Sequence, residues 1–127
     1  MKLVRHFILS GSIKSKKNSK QVIMVGGKNQ PKRPALIPSK AYTAWEKGAR
    51  KEARYQSLGG PVEGPVHVRV RAYFKGQEPD LSGILESVGD CLEGIAWVND
   101  KQIKSWDGSR KFHDKNHPRT EVSVWAE

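Results

Sequence analysis

The chain has 127 residues and a formal net charge of +10. Its length suits one folded domain over residues 1–127 with a single core. No apolar run approaches the roughly 18 residues of a transmembrane helix, so we expect a soluble, cytoplasmic protein with no membrane partner. A single cysteine, Cys91, excludes an internal disulfide and cannot form a zinc site alone.

The charge is divided unevenly along the chain. Residues 1–75 contain 17 Lys and Arg against 3 Asp and Glu, whereas residues 76–127 contain 6 against 10. The first part predicts a surface for a polyanion, of which nucleic acid is the commonest in the cytoplasm. The acids of the second part need another explanation.

The N-terminal part begins with two predicted strands, residues 2–9 and 21–25, which are rich in strand-forming side chains. The connection between them is polar and basic, which predicts a loop. Three of its lysines are candidate phosphate contacts: Lys14, Lys16 and Lys17.

A second basic loop, residues 26–34, leads to a helix predicted over residues 40–55 with Ser39 as its N-cap. At about 100° per residue, the apolar side chains of this helix fall on one side and its basic side chains on the other. The basic face consists of Lys40, Lys47, Arg50, Lys51 and Arg54. Such a face is either solvated, as on many surface helices, or bound to phosphates.

The C-terminal part contains first a strand pattern and then a helical one. Residues 66–74 alternate between apolar and polar side chains, which predicts a half-buried strand. Apolar residues then recur at helical spacing over residues 81–93, and Gly94 is the predicted stop of this helix. Residues 95–98 and 120–125 are predicted as two further strands.

Five acids are concentrated in this part: Asp80, Glu86, Asp90, Glu93 and Asp100. Asp80 precedes the helix and Asp100 follows the next predicted strand, so the two carboxylates can converge. An oxygen-rich pocket of this kind suits Mg²⁺, which can polarise a phosphodiester and activate water. The alternative is that the acids are solvated and that Asp80 complements the helix macrodipole. No Gly-rich phosphate loop or dinucleotide motif is found, so no nucleotide cofactor is expected.

Several short motifs between residues 79 and 119 resemble one protein family. They are Asp80-Leu81, Asp90-x-Leu92, Gly94 and Asn99-Asp-Lys-Gln-Ile103. Together they resemble the core of RusA-type Holliday junction resolvases. Two further motifs, Asp107-Gly-Ser-Arg110 and Pro118-Arg119-Thr-Glu-Val122, are similar to the tail of members carried by phages and prophages.

This resemblance implies an α+β fold, in which a mixed β-sheet is backed by two main helices, and a homodimer. It also implies an endodeoxyribonuclease that depends on Mg²⁺, with Mn²⁺ as an alternative ion. The implied substrate is a four-way junction or other branched DNA formed in recombination and repair. Each of two active sites would cut one of two opposed strands.

The resemblance further implies roles for individual residues. Asp80 and Asp100 match the metal-binding aspartates, and either Glu86 or Asp90 is expected to complete the metal site. Glu86 is the third catalytic acid, and Asp90 is either a fourth or a brace for the helix. Ser82-Gly83 stands where the family has Asp-Asn, and Glu86 replaces a lysine. An alternative is therefore a basic DNA-binding protein that kept the fold but lost the metal site. The expected phosphate contacts are Lys14, Lys16, Lys17, the basic helix face, and Lys101, Arg110 and Arg119 near the scissile bond.

Overall fold

The structure is a computed structural model that describes residues 1–16 and 20–127. Within these ranges the strands are β1 (Lys2–Ser10), β2 (Lys20–Val25), β3 (Arg33–Pro38), β4 (Val66–Phe74), β5 (Ile103–Ser105), β6 (Arg110–His113) and β7 (Arg119–Ala126). The helices are α1 (Lys40–Gln56) and α2 (Leu81–Leu92), and Asp100–Gln102 forms one 3₁₀ turn. The α+β class and the mixed sheet with two helices are therefore confirmed.

The main sheet is built around β4. Its strand order is β1-β7-β4-β5, and β6 also pairs with β4. β7 is antiparallel to both of its neighbours, whereas β5 and β6 are parallel to β4 and pair with its two ends. The apolar residues of β4 are buried in alternation, as its sequence pattern predicted: Val66, Val68, Val70, Ala72 and Phe74.

Both helices bury the apolar faces that their spacing predicted. Ser39 caps α1, because its hydroxyl oxygen accepts a hydrogen bond from the Tyr42 N–H at 3.1 Å. The main buried residues are Tyr42, Ala49 and Ala53 of α1 and Ile84, Val88 and Leu92 of α2. Neither helix of the described ranges has the length and apolar character needed to cross a membrane.

Helix α1 also covers part of the open edge of the main sheet. The Gln56 amide donates to the Ile8 carbonyl at 2.8 Å and accepts from the Ile8 N–H at 2.7 Å. Glu52 accepts from both the N–H and the hydroxyl of Ser10, at 3.0 and 2.6 Å. Unpaired edge groups invite another strand, so these contacts close this end of β1 to pairing with a second chain.

Strands β2 and β3 form a separate antiparallel hairpin. β3 corrects the sequence prediction, which continued the second basic loop to residue 34 and placed no strand before Ser39. Prolines argue against a strand interior. Pro34 and Pro38 are nevertheless tolerated, because each strand of a two-stranded ribbon has one edge whose N–H groups are not needed for pairing.

The strand predicted at residues 95–98 is wrong. This segment is a tight turn after α2, in which the Ile95 and Ala96 N–H groups both donate to the Leu92 carbonyl. The apolar run reflects burial rather than strand pairing, because Ile95, Ala96 and Trp97 all belong to the core. A short, fully apolar run has no periodicity by which a strand can be distinguished from a buried turn.

We predict that Gln56→Ala lowers the free energy of unfolding by about 1 kcal/mol, because it removes both hydrogen bonds to Ile8 at the sheet edge. The measurement is urea unfolding, with Lys51→Ala as the control, since Lys51 is exposed on the same helix. Equal stabilities of the two variants would show that the contact contributes nothing.

Candidate active site

A cleft of about 400 Å³ brings together three of the acids predicted from the sequence. Ser82, Glu86 and Asp90 line it from α2, where spacings of four residues place them on one side of the helix. Asp100 lines it from the 3₁₀ turn. Apolar side chains complete its wall: Leu85, Ile103 and Trp106. We refer to this cleft as the acidic cleft.

Asp100 is held in place by its neighbours in the turn. The indole N–H of Trp97, which is fully buried, donates to Asp100 Oδ1 at 2.7 Å. Asn99 and Gln102 form a reciprocal capping box around the 3₁₀ turn. Gly89 of α2 faces the carboxylate, since a Cβ built on it would lie in ordinary van der Waals contact with Asp100 Oδ2, at 3.4 Å. The carboxylate of Asp100 is therefore positioned before any ligand arrives.

Two carboxylates of the acidic cleft, Asp90 and Asp100, are partly buried and lie near other carboxylates, which raises their pKa values. Burial raises the pKa of Asp100 to about 6; the Trp97 hydrogen bond opposes this rise, and the Glu93 carboxylate adds to it. Burial also raises the pKa of Asp90, and the ammonium group of Lys16 opposes that rise. A cation in the cleft would relieve this unfavourable interaction, as expected of a functional site.

Asp80 lies outside the acidic cleft. It is the N-cap residue of α2, where its exposed side chain makes no capping hydrogen bond. It lines a second cleft, of about 430 Å³, which we call the polar cleft. The sequence suggested that Asp80 and Asp100 converge; in the structure they line different clefts. A 3₁₀ turn rather than a strand end carries Asp100, which meets α2 beside Gly89. Glu86 follows Asp80 by six positions, which is a rise of about 9 Å along the helix axis.

The expected metal-binding acids are therefore divided between two clefts. Among the described residues, no three Asp, Glu, His or Cys side chains lie close enough to share a metal ion. The donor chemistry still fits Mg²⁺, because Glu86, Asp90 and Asp100 present hard carboxylate oxygens to one solvent-accessible cleft.

The N-terminal segment after β1 crosses over α2. The Ser87 hydroxyl donates to the Lys14 carbonyl at 2.8 Å and accepts from the Lys16 N–H at 3.3 Å. Ser15, between these two residues, is buried against Gly83, where any Cβ would collide with the Ser15 hydroxyl. Gly83 thus allows this segment to lie directly on the helix.

This crossing places one lysine at each cleft. Lys16 Nζ lies 3.7 Å from Asp90 Oδ2, at the rim of the acidic cleft. Lys14 is exposed and lines the polar cleft that contains Asp80. Lys17, the third lysine predicted to bind phosphate, lies outside the described residues.

The basic face of α1 has four exposed members: Lys40, Lys47, Lys51 and Arg54. Arg50 has a different environment. Its Nη1 donates to the Cys91 carbonyl at 2.8 Å and lies 3.4 Å from the carbonyls of Asp90 and Glu93. These carbonyls end α2 and have no partner within the helix, so Arg50 caps α2 rather than standing free for DNA. A helical wheel cannot reveal this role because α2 lies forty residues away in the chain.

The three C-terminal basic residues also differ from one another. Lys101 and Arg110 are exposed, and Lys101 directly follows Asp100. Arg119 is occupied by the fold: it binds Glu121 at 2.8 Å and Asp114 at 3.1 Å, and its guanidinium lies 3.9 Å from the centre of the Tyr73 ring. Of the predicted phosphate contacts, Arg119 and Arg50 therefore already bind partners within the fold.

Sequence reasoning missed the supporting roles of Trp97, Ser87 and Lys111. Lys111 Nζ donates to the Pro79 carbonyl and pairs with Glu78, both at 3.2 Å, and so holds the chain that precedes Asp80. The capping box could have been recognised from Asn and Gln three residues apart. The other roles have no local sequence signal, because the partners are distant in the chain.

Comparison with known proteins agrees with this geometry. A family model described as endodeoxyribonuclease RusA matches residues 18–125. The matched range contains both helices and the acids of both clefts. No curated protein matches the chain.

We predict that Asp100→Asn stabilises the metal-free protein at pH 7.5 by about 1 kcal/mol, with partial exposure reducing the full electrostatic effect. The folded pKa of about 6 is above the unfolded value of 3.8, so the ionised carboxylate disfavours folding at pH values above about 6. The gain should shrink as the pH falls towards 4, where both states become protonated. Unfolding in EDTA measures it, with the exposed Asp107→Asn as control; a gain independent of pH would contradict this account.

We predict that Ser87→Ala releases the N-terminal segment from α2, because it removes the hydrogen bonds to Lys14 and Lys16. The free energy of unfolding should fall by about 1–2 kcal/mol, and hydrogen exchange at the Lys16 amide should accelerate. Ser82→Ala is the matched control, since Ser82 is exposed on the same helix. Unchanged exchange in Ser87→Ala would show that the segment is held by other contacts.

Proposed function

The chain belongs to the endodeoxyribonuclease RusA family, and on that premise we propose that it resolves Holliday junctions by Mg²⁺-dependent paired nicks. It is an endodeoxyribonuclease, and the family implies the resolution of Holliday junctions. Nucleases of the family generally depend on a divalent metal. The metal identity, the residues that hold it and the paired cutting are the parts that we propose.

The observation that carries the proposal is the acidic cleft within a strongly basic chain. Asp100 is oriented by Trp97, and Asp90 and Glu86 face the same space from α2. A pair of these carboxylates would hold Mg²⁺ in the cleft, where the ion would supply polarisation of the phosphodiester and activation of water. Lys16, already paired with Asp90, can exchange that carboxylate for a DNA phosphate when the acid binds a cation.

Asp80 is a separate part of the proposal, and it rests on the resemblance to the family motif. Its carboxylate is exposed and makes no capping bond, so it can bind a ligand without breaking a structural contact. Lys14 lies in the same polar cleft and supplies a positive charge beside it. The two clefts together would serve one scissile phosphate and its flanking backbone.

The proposed DNA surface consists of the basic side chains that the fold leaves exposed, together with Lys16 at the acidic cleft. Lysine and arginine bind the DNA backbone by charge neutralisation and counterion release, without reading sequence. The exposed members are Lys14, Lys40, Lys47, Lys51, Arg54, Lys101 and Arg110.

Paired nicks require two active sites, and we propose that a homodimer supplies them. A two-fold axis in the protein would match the opposed strands of a four-way junction. One chain contributes one acidic cleft, so a monomer would cut one strand at a time.

The test is cleavage of a synthetic mobile four-way junction in Mg²⁺, followed on a denaturing gel, with linear duplex as the substrate control. Wild-type protein should produce symmetric paired nicks on the junction and none in EDTA. Asp100→Asn should reduce cutting by at least about a hundredfold while junction binding persists, because the carboxylate holds metal rather than DNA.

Asp107→Asn is the matched control, since Asp107 is exposed and lies outside both clefts. Asp80→Asn tests the second cleft separately, and we expect it to cut as poorly as Asp100→Asn. Tight junction binding by wild-type protein without cutting in Mg²⁺ or Mn²⁺ would overturn the proposal in favour of a binding protein.

A further inference from the structure

The main sheet has one face that the helices do not cover, which we call the outer face. Both helices share a core cluster with the buried residues of β4, so they pack on the opposite side of the sheet. The alternate residues of β4 are partly exposed on the outer face: His67, Arg69, Arg71 and Tyr73. By their pairing with these residues, the neighbouring strands add Arg110 and Phe112 of β6 and Arg119 and Trp125 of β7.

Aromatic rings hold two arginines of the outer face in place. The Arg119 guanidinium lies 3.9 Å from the centre of the Tyr73 ring, and this ring stacks on Phe112 at 4.8 Å. At the other end of the stack, the Arg110 guanidinium lies 5.0 Å from the centre of Phe112. A cation fixed in this way loses less conformational entropy when it binds a ligand than a free side chain does.

Arg69 is also fixed, but part of it lacks a polar partner. Its guanidinium lies 5.1 Å from the centre of the Trp125 ring. A Cβ on Gly108 would lie 3.1 Å from Arg69 Cδ, so the loop after β5 packs closely against the arginine. Among the described residues, the buried Nε of Arg69 has no hydrogen-bond partner. A buried donor without a partner is unfavourable, and a ligand that accepts a hydrogen bond would remove this cost.

The arginines of the outer face differ in their ion pairs. Arg119 binds two carboxylates, which neutralise it. Within residues 1–16 and 20–127, Arg69, Arg71 and Arg110 form no salt bridge. Arg71 lies directly opposite Arg110 in the pairing of β4 with β6, and like charges in this arrangement destabilise a sheet. A bound anion would relieve their repulsion.

The outer face fits an unpaired DNA strand better than a duplex. In a duplex the bases stack on one another, and phosphates are reached by protruding cations such as the exposed lysines of α1. The bases of a single strand are free to stack on aromatic rings and guanidinium planes. Arg69 and Arg71 stand two residues apart, ~7 Å along β4, so both can contact the backbone of a strand that follows β4.

From these observations we propose that the outer face binds single-stranded DNA. Arg69, Arg71 and Arg110 bind its phosphates, and unpaired bases stack against Trp125 and the guanidinium planes. Helix α2, which lines the acidic cleft, packs on the other side of the sheet, so this surface is separate from the candidate active site. The inference does not depend on the proposed cutting, because single-strand binding is measured without a metal.

The experiment measures binding of a fluorescent thymidine oligonucleotide of about 16 nucleotides, the upper end of the site sizes of single-strand-binding modules. Fluorescence anisotropy in EDTA gives the dissociation constant over a series of salt concentrations, and a duplex of equal length is measured in parallel. The test variant is Arg69→Gln/Arg71→Gln. The matched control is Lys28→Gln/Lys32→Gln, which removes two exposed positive charges from the loop between β2 and β3.

The test variant should bind the oligonucleotide at least about tenfold more weakly than wild type. The slope of log affinity against log salt should fall by about 1.4, or about 0.7 for each lost phosphate contact. The control variant should keep the wild-type affinity and slope, and the test variant should keep the wild-type affinity for duplex. An abasic strand should bind wild type at least about fivefold more weakly than the thymidine strand, because it has no bases to stack.

Three results would overturn the inference. Equal losses in the test and control variants would show that net charge alone explains binding. An equal loss of duplex affinity in the test variant would indicate a general contact with the DNA backbone. Equal binding of the abasic and thymidine strands would show that the surface recognises phosphates without bases.

Arg71→Gln alone is the second variant, and it keeps the test valid if loss of Arg69 disturbs folding. In the described ranges Arg71 contacts no aromatic ring, so its replacement leaves the stacked contacts intact. Arg71→Gln should unfold at the wild-type temperature and lower the salt slope by about 0.7. A normally folded Arg71→Gln with the wild-type slope would also contradict the inference.

Junction cleavage in Mg²⁺ separates this inference from the proposed function. The test variant should cut the four-way junction as wild type does, because its substitutions lie outside both clefts. A wild-type protein that binds the oligonucleotide through the outer face but cuts no junction would contradict the function alone. A protein that cuts, and whose test variant binds the oligonucleotide like wild type, would contradict this inference alone.

Discussion

The Arg50 guanidinium binds the carbonyl groups that end α2, and the candidate site depends on this contact. These carbonyls have no partner within the helix and lie at the negative end of its dipole, so the partly buried cation of Arg50 is favoured there. Because Gln56 and Glu52 of the same α1 helix bind β1, the contacts are continuous from the sheet edge to α2. The acidic cleft, which α2 lines, is therefore fixed relative to the sheet.

The acidic cleft also imposes an electrostatic cost on the fold. Asp90 and Asp100 are held near other carboxylates and partly out of water, which disfavours their charged forms. Lys16 and the indole N–H of Trp97 offset part of this cost. A bound cation would relieve the remaining electrostatic cost. The arrangement that destabilises the metal-free protein therefore favours metal binding. The basic side chains lie outside the cleft, where they can neutralise phosphates without filling the space between the acids.

The regular elements were largely predictable because their patterns are local. Helical periodicity identified residues 40–55 and 81–93, and strict alternation identified β4. β3 was missed because its prolines are tolerated only at the edge of a two-stranded ribbon. β5 and β6 were missed because strands of three and four residues are too short to show a period. β5 and β6 exist because they pair with β4, and that pairing forms only when distant parts of the chain come together in the fold.

The sequence by itself determined the separation of basic and acidic parts, the two amphipathic helices and the identity of the acids that resemble a nuclease motif. Tertiary structure alone decided which of those acids meet: Asp100 joins Asp90 and Glu86, whereas Asp80 faces the polar cleft. It also decided that the guanidinium groups of Arg50 and Arg119 bind carbonyl and carboxylate groups of the fold. The physical reason is range. Periodicity and capping act within a few residues, whereas the partner of a charged side chain is chosen by elements that pack together from distant parts of the chain.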